Sequence, residues 1–234
     1  MRPEDFFDRV FKNKNKVLIV MAHPDDAEIY AGGTIARLIE TRKDVRIIKV
    51  TSGNRGSRQE KISAEKLTKI RFQEDGAAMK SFGILEKNNV YLELNDGEVD
   101  NSFETISKIT YQIRKFKPDI VMTHNPEDMI IKFDENNHWV NHRDHRNTGK
   151  STIDAAYPYS RDLLFFPEQL KEQGVESHTV HIKISEEQAN TRSQAIAAHT
   201  SQYTFDHAKS STDFFTKNPA WKERYERFRY VICD

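Results

Sequence analysis

Short apolar runs alternate along this chain with segments whose apolar residues return every three or four positions. The first run, KVLIVMA (Lys16–Ala22), reads as a buried strand, and TIARLIETR (Thr34–Arg42) follows with helical spacing. VRIIKVTS (Val45–Ser52) is a second strand, followed by the loop GNRGS. Residues Ser63–Phe82 make a long amphipathic helix with Leu67, Ile70, Ala77 and Ala78 among its inward positions. NVYLEL (Asn89–Leu94) is a third strand, closed by the turn pair Asp96-Gly97. Phe103–Phe116 is a helix that stops before Pro118, and DIVMTH (Asp119–His124) is a fourth strand. Asn125–Asn141 has little periodicity and reads as a long loop, a class that often serves as a functional lid. Further on, the pattern predicts a helix over about Asn147–Ala156, a strand over His178–Ile184, a helix over Glu186–Ala198 and a C-terminal helix near Trp221–Tyr230.

Strand–helix alternation of this kind predicts an α/β fold, a Rossmann-like three-layer sandwich with a mostly parallel sheet and helices on both faces. The length of 234 residues suits one domain spanning 1–234. Ligands of such sheets gather at the carboxyl ends of the strands. The polar groups expected there are His23 to Asp26, Thr51 to Ser57, Asp96 and His124.

Composition narrows the partners. Lys plus Arg and Asp plus Glu both total 36, so there is no general attraction to nucleic acid or to an anionic membrane. The single cysteine, Cys233, excludes an intrachain disulfide and a cysteine zinc knuckle. The first residues, MRPEDFFDRVFKNKNK, are charged and lack the apolar core of a secretory signal, and the longest apolar run, VLIVMA, is too short to span a bilayer. A cytoplasmic protein without stable membrane insertion is expected.

Two motifs carry the candidate chemistry. In HPDD, His23 and Asp26 stand three residues apart, so one tight turn can aim both at a single ion. Asp25 lies between them and points elsewhere, where it can hold a water and take its proton. In HRDH, His142 and His145 repeat the spacing with Asp144 between them. Imidazole and carboxylate suit zinc and similar divalent metals, and a catalytic zinc takes three protein ligands with one open position. Either motif alone reads first as a capped, solvated turn; the two together, in an α/β pattern, favour a metal. AGGT (Ala31–Thr34) lacks both the GxGxxG spacing and a Walker lysine, which favours close helix packing over phosphate binding. TSGNRGS has the glycine content of an anion-binding loop but also of an ordinary turn. Trp139 either stacks on a sugar or packs the loop down.

AHPDDAEIYAGGTIA followed by HRDHR resembles the LmbE-like, or PIG-L, family of metal-dependent N-deacetylases. The resemblance continues through TSGNRGS, RFQEDGAAMKSFGI with Arg71 and Glu74, NDG at Asn95–Gly97, KPDIVMTH and AIAAHTSQY (Ala195–Tyr203), in order along nearly the whole chain. It implies one Zn2+ per chain held by His23, Asp26 and His145, with Fe2+ or Co2+ suited to the same ligands. It implies Asp25 as general base and His142 as general acid that also steadies the oxyanion. Asp144 would orient a histidine, Arg71 would lie near the acyl carboxyl and Asp96 near sugar hydroxyls. The implied reaction removes the N-acetyl group from an N-acetylglucosamine-type substrate. Many members carry an aspartate two residues before the first histidine of the second motif, where this chain has Val140, and the preceding loop is long.

Three rivals are set against this reading. His142, Asp144 and a distant His199 have the order of a 2-His-1-carboxylate iron site, but such oxygenases are all-β and HPDD would go unexplained. A non-catalytic metal-binding member would have no need of Asp25 and His142. A different small-molecule amide would keep the fold and the metal. The expected partner is a small-molecule amino sugar, with a homo-oligomer left open.

Overall fold

The computed structural model describes residues 4–58, 61–132, 136–162, 164–166, 169, 176–217 and 223–232. Its centre is a four-stranded parallel sheet in the order β3-β2-β1-β4, built from β1 (Lys16–Met21), β2 (Asp44–Thr51), β3 (Asn89–Leu94) and β4 (Ile120–Thr123). In register, Val17 lies opposite Val45 on one side and Ile120 on the other. Strand side chains alternate between faces. Val17, Ile19 and Met21 therefore join one core cluster and Leu18 and Val20 the other. The first cluster packs under α1 (Phe7–Phe11), α2 (Asp26–Glu40), α3 (Ala64–Phe82) and α6 (Glu186–Ala197). The second packs under α4 (Phe103–Phe116) and the helical turn after α5 (Arg143–Asp154). Both faces are thus covered, as the alternation predicts. Each fully buried Val, Leu or Ile in these layers contributes about 1.5–3 kcal/mol.

Strand order decides where a ligand can sit. From β1 the chain steps outward to β2 and β3, then returns to place β4 on the opposite side of β1. Such a reversal opens a crevice between the carboxyl ends of the two strands that part company. His23 leaves β1 and His124 leaves β4 at that point.

Several elements depart from the periodicity. Helix α2 starts eight residues before Thr34, directly at Asp26, and carries Gly32 and Gly33 inside it. A Cβ on Gly32 would lie 2.5 Å from the Arg192 side chain, and one on Gly33 2.5 Å from Ile184. AGGT is therefore a site of close packing. Arg192 and Glu226 are ion-paired at 3.3 Å, and Glu226 also accepts from the Gly33 and Thr34 amides at 2.7 and 2.6 Å. On α3 the inward stripe is Leu67, Arg71, Glu74, Asp75, Ala78, Met79 and Phe82, while Ala77 faces solvent and Ile70 is only half-buried. The loop expected over Asn125–Asn141 contains a small antiparallel hairpin, β5 (Ile130–Lys132) with β6 (His138–Val140).

The late strand β7 (Glu176–Ile184) pairs antiparallel with β8 (Arg224–Ile232) outside the main sheet. The helix expected near Trp221–Tyr230 is thus a strand from Arg224 onward; Trp221 itself and Cys233 lie outside the described residues. Pairing along nine residues of β7 outweighs the helical preference of that stretch. A helix the periodicity does not predict, α7 (Phe205–Thr216), precedes it. Among the described residues no helix is long and apolar enough to cross a membrane.

Candidate metal centre

At the end of β1 the chain turns sharply through Pro24 and Asp25 into α2. Asp25 is the N-cap and has φ of 112°, a left-handed conformation rarely adopted by residues with a Cβ. Such conformations cost on the order of 1–3 kcal/mol and persist where surrounding contacts hold them. Here Arg71 of α3 supplies those contacts, with Nη2 3.3 Å from Asp25 Oδ2 and bonded to the Pro24 carbonyl.

This turn sets Asp26 beside His23, and α5 brings His145 to the same point. His23 Nδ1 lies 3.2 Å from His145 Nε2 and 3.3 Å from Asp26 Oδ2, and His145 Nε2 lies 3.1 Å from Asp26 Oδ1. Donors around a tetrahedral zinc with bonds of about 2.0–2.1 Å stand about 3.3 Å apart. The set that the resemblance implies, His23, Asp26 and His145, therefore lies close together, with His23 nearest Asp26 Oδ2 and His145 nearest Oδ1. Side-chain groups close enough to share one ion also include His23 with His142 and His145, and Asp26 with His124 and His145. A fourth, His124, has Nε2 3.2 Å from Asp26 Oδ2, and its ring stacks on His145 with centroids 4.1 Å apart. Helix α5 reaches this position because Gly149 lets it press on β4: a Cβ there would lie 2.3 Å from the His124 carbonyl oxygen.

The far nitrogen of His23 is held by carboxylates. His23 Nε2 lies 3.2 Å from both Asp144 Oδ2 and Asp96 Oδ1. Asp144 is itself anchored by the Gly97 amide at 2.6 Å and the Val99 amide at 3.3 Å. A carboxylate on the outer nitrogen of a ligating imidazole fixes its tautomer and raises its basicity. His142 caps α5, its Nδ1 accepting from the Asp144 amide at 3.2 Å, so a neutral His142 carries its proton on Nε2. Its exposed ring meets the His23 ring edge-on, with centroids 4.9 Å apart.

Electrostatics separate these groups. Burial alone would raise Asp26, but His145, His124 and His23 hold it well below the usual carboxylate range. Burial pushes Asp25 up, against the pull of Arg71. Burial would lower His23, yet Asp26, Asp144 and Asp96 raise it well above the ordinary histidine value. His124 is driven down to about 4, by burial and then by His145. Burial, followed by the charges of His23 and His145, lowers His142. Four carboxylates meet in this crevice, with Arg71 paired to Asp25 and Arg143 3.8 Å from Asp144. Buried charge of that density calls for a compensating cation.

The remaining expected residues take definite places. Asp96 touches His23, and Arg71 is buried against Asp25; both form the wall of the crevice. Trp139 stacks on Phe214 at 5.7 Å and meets Phe215, which packs on Tyr30 against His124 and His145. The TSGNRGS segment acts as a turn brace, with the Asn54 side chain accepting from the Asp96 amide at 3.0 Å. His199 lies away from His142 and Asp144, 2.8 Å from Glu28, which removes the basis for the iron-oxygenase alternative. Glu28, Asp75 and His199 approach one another in a second cluster, but Lys49 is already paired with Asp75 at 2.9 Å. His124 was visible in the sequence only as a polar residue at a strand end. Its signal is the order of β4 beside β1, which appears only once the sheet is formed.

Comparison with known proteins agrees with this geometry. The family described as PIG-L, GlcNAc-PI de-N-acetylase, matches residues 18–156. Diacetylchitobiose deacetylase of Thermococcus kodakarensis is 30% identical over 149 residues, covering 62% of this chain and 51% of the relative. The match therefore spans about half the length of that relative. The structure of N,N'-diacetylchitobiose deacetylase from Pyrococcus horikoshii, in complex with its inhibitor, is similar with a TM-score of 0.78 at 23% identity, over 97% of this chain and 86% of that one. GalB from Pseudomonas putida KT2440, a 4-carboxy-2-hydroxymuconate hydratase, shares the fold with a TM-score of 0.72 at 15% identity, over 94% and 95% of the two chains. The fold by itself does not select the reaction.

Proposed function

Since the chain belongs to the PIG-L family, we propose that it is a metal-dependent N-deacetylase acting on N-acetylglucosamine-type sugars, chitobiose-like compounds among them. One observation carries the reading: His23, Asp26 and His145 present donors 3.1–3.3 Å apart, beside an acid–base pair, Asp25 and His142. The named activity of the Thermococcus relative supports the substrate class. The reading takes residues 1–234 as one domain, and a chain with a single cysteine fits a reducing, cytoplasmic setting.

His23, Asp26 and His145 would hold the cation, with His124 against Asp26. Zinc is the expected metal, and iron(II) or cobalt suits the same donors. When bound, it supplies Lewis acidity that makes water a nucleophile near neutral pH and polarises an amide carbonyl. Asp25 removes the proton of the attacking water. His142, at the mouth of the crevice, donates to the oxyanion from Nε2 and passes that proton to the leaving amine, the proton that Asp25 took from the water replacing it on His142. Asp144 and Asp96 keep His23 turned with Nδ1 inward. Arg71 steadies Asp25, and Trp139 offers a face at the rim. Water and the N-acetyl amide give acetate and a free amino sugar.

The test is acetate release from N-acetylglucosamine, N,N'-diacetylchitobiose and related compounds, with and without chelator and after adding back zinc, cobalt or iron. Release that stops with chelator and returns with metal is expected. Protein that carries metal yet releases no acetate from the whole panel would overturn the amino-sugar reading.

A further inference from the structure

We propose that the turn Ala198–Tyr203 is a clamp that positions Asp25, with Tyr203 as the residue acting on it; this rests on Asp25 being the base. The Tyr203 hydroxyl donates to Asp25 Oδ2 at 3.4 Å, the same oxygen that Arg71 Nη2 meets at 3.3 Å. Two donors on one oxygen fix the rotation of the carboxylate and leave Oδ1 to face the attacking water. Burial, with Asp25 and Asp26 nearby, raises Tyr203 far above its ordinary value, so the hydroxyl stays a donor.

The rest of the turn is fastened to the same two helices. His199 is completely buried and lies 2.8 Å from Glu28, in the first turn of α2 behind Asp25. Thr200 Oγ1, the Ser201 amide and Ser201 Oγ all donate to Glu74 at 3.0, 2.5 and 2.6 Å. Glu74 is one turn along α3 from Arg71, so both donors to Asp25 are tied to one rigid element. Within the turn, the Gln202 and Tyr203 amides both donate to the His199 carbonyl at 2.9 Å. An internally closed turn of this kind, bonded to both α2 and α3, can hold the left-handed Asp25 in place.

Tyr203→Phe removes one hydroxyl and keeps the ring. We expect kcat to fall about tenfold, as for loss of one hydrogen bond to a charged group. KM should stay within about twofold, because a positioning group acts on the chemical step, and metal content should be unchanged. Asp25→Asn with Tyr203→Phe should be no slower than Asp25→Asn alone, since the hydroxyl acts only through that carboxylate. Glu74→Gln, which loosens the turn away from the base, should give the same split with a smaller loss. Crystal structures of wild type and Tyr203→Phe supply a readout independent of turnover. The Asp25 carboxylate should rotate or split into two conformers while His23, Asp26 and His145 stay in place. Wild type without activity would count against the deacetylase reading, and the crystallographic comparison would still decide the clamp. An Asp25 side chain superimposable in the two structures overturns it, as does an additive tenfold loss in the double variant.

Discussion

Asp25 and Asp26 are adjacent, yet their carboxylates meet different surroundings. Asp26 is ringed by His23, His124 and His145, which keep it ionised and aimed at a shared point. Asp25 is turned the other way by its left-handed backbone and is raised by burial. The two should therefore fail differently. Asp25→Asn should keep its metal and lose turnover by about 10²–10⁴, the range for a general base. His145→Ala should lose the metal. Elemental analysis beside an activity assay separates them; full activity in the first variant, or full metal content in the second, would refute the assigned role. The choice of His145 as a ligand rests on the resemblance, while spacing pairs His23 with Asp26 and His142 with His145, because three-residue intervals bring side chains together within one turn. It said nothing of His124 or Tyr203, whose partners lie 98 and 178 positions away. Arg71 and Asp96, expected at the substrate, stand against Asp25 and His23, where each can steady a working group.

Elements are joined by a second polar device behind the crevice. Asn89 and Tyr91 of β3, both partly buried, join the fully buried pair of Lys49 in β2 and Asp75 in α3 in one network, with Lys49 2.9 Å from Asp75 and 2.6 Å from Asn89. Lysine in a strand otherwise read as apolar is tolerated only because this carboxylate meets it. Burial would raise Asp75, but Lys49, Tyr91 and Asn89 hold it below its ordinary value of 3.8. A native carboxylate held low stabilises the fold fully above the unfolded value, and that contribution fades as pH falls through the native value. Asp75→Asn should cost about 3–5 kcal/mol near neutral pH, because Lys49 is left buried and unpaired. The gap between wild type and variant, followed by denaturant melts, should narrow as pH drops below about 4; a constant gap would count against the pair. The same helix shows where periodicity misleads. Its inward stripe contains Arg71, Glu74 and Asp75, which a hydrophobic pattern places outside. Likewise, β8 and the β5–β6 hairpin depend on partners distant in sequence or on a turn within an aperiodic stretch, whereas β1 to β4 and α4 carry their pattern locally.

Over the whole molecule charge is balanced, with 36 cationic and 36 anionic side chains. The crevice is not. It gathers Asp25 and Asp26 from the end of β1, Asp96 from the turn after β3 and Asp144 from α5, around histidines that follow β1 and β4. These segments are distant in the chain and meet only in the folded state, so a cation bound there favours that state over the unfolded one. At a metal concentration a thousandfold above Kd, the linkage amounts to about 4 kcal/mol. For a chain of this size that is a shift in Tm of roughly 10 °C. Thermal melts should accordingly fall when a chelator is added and recover with zinc, cobalt or iron, while magnesium, a poor partner for imidazole, should restore little. His145→Ala should melt at one temperature with or without chelator. Wild-type melts indifferent to chelator, in protein shown to have released its metal, would mean that the carboxylates are balanced within the fold itself.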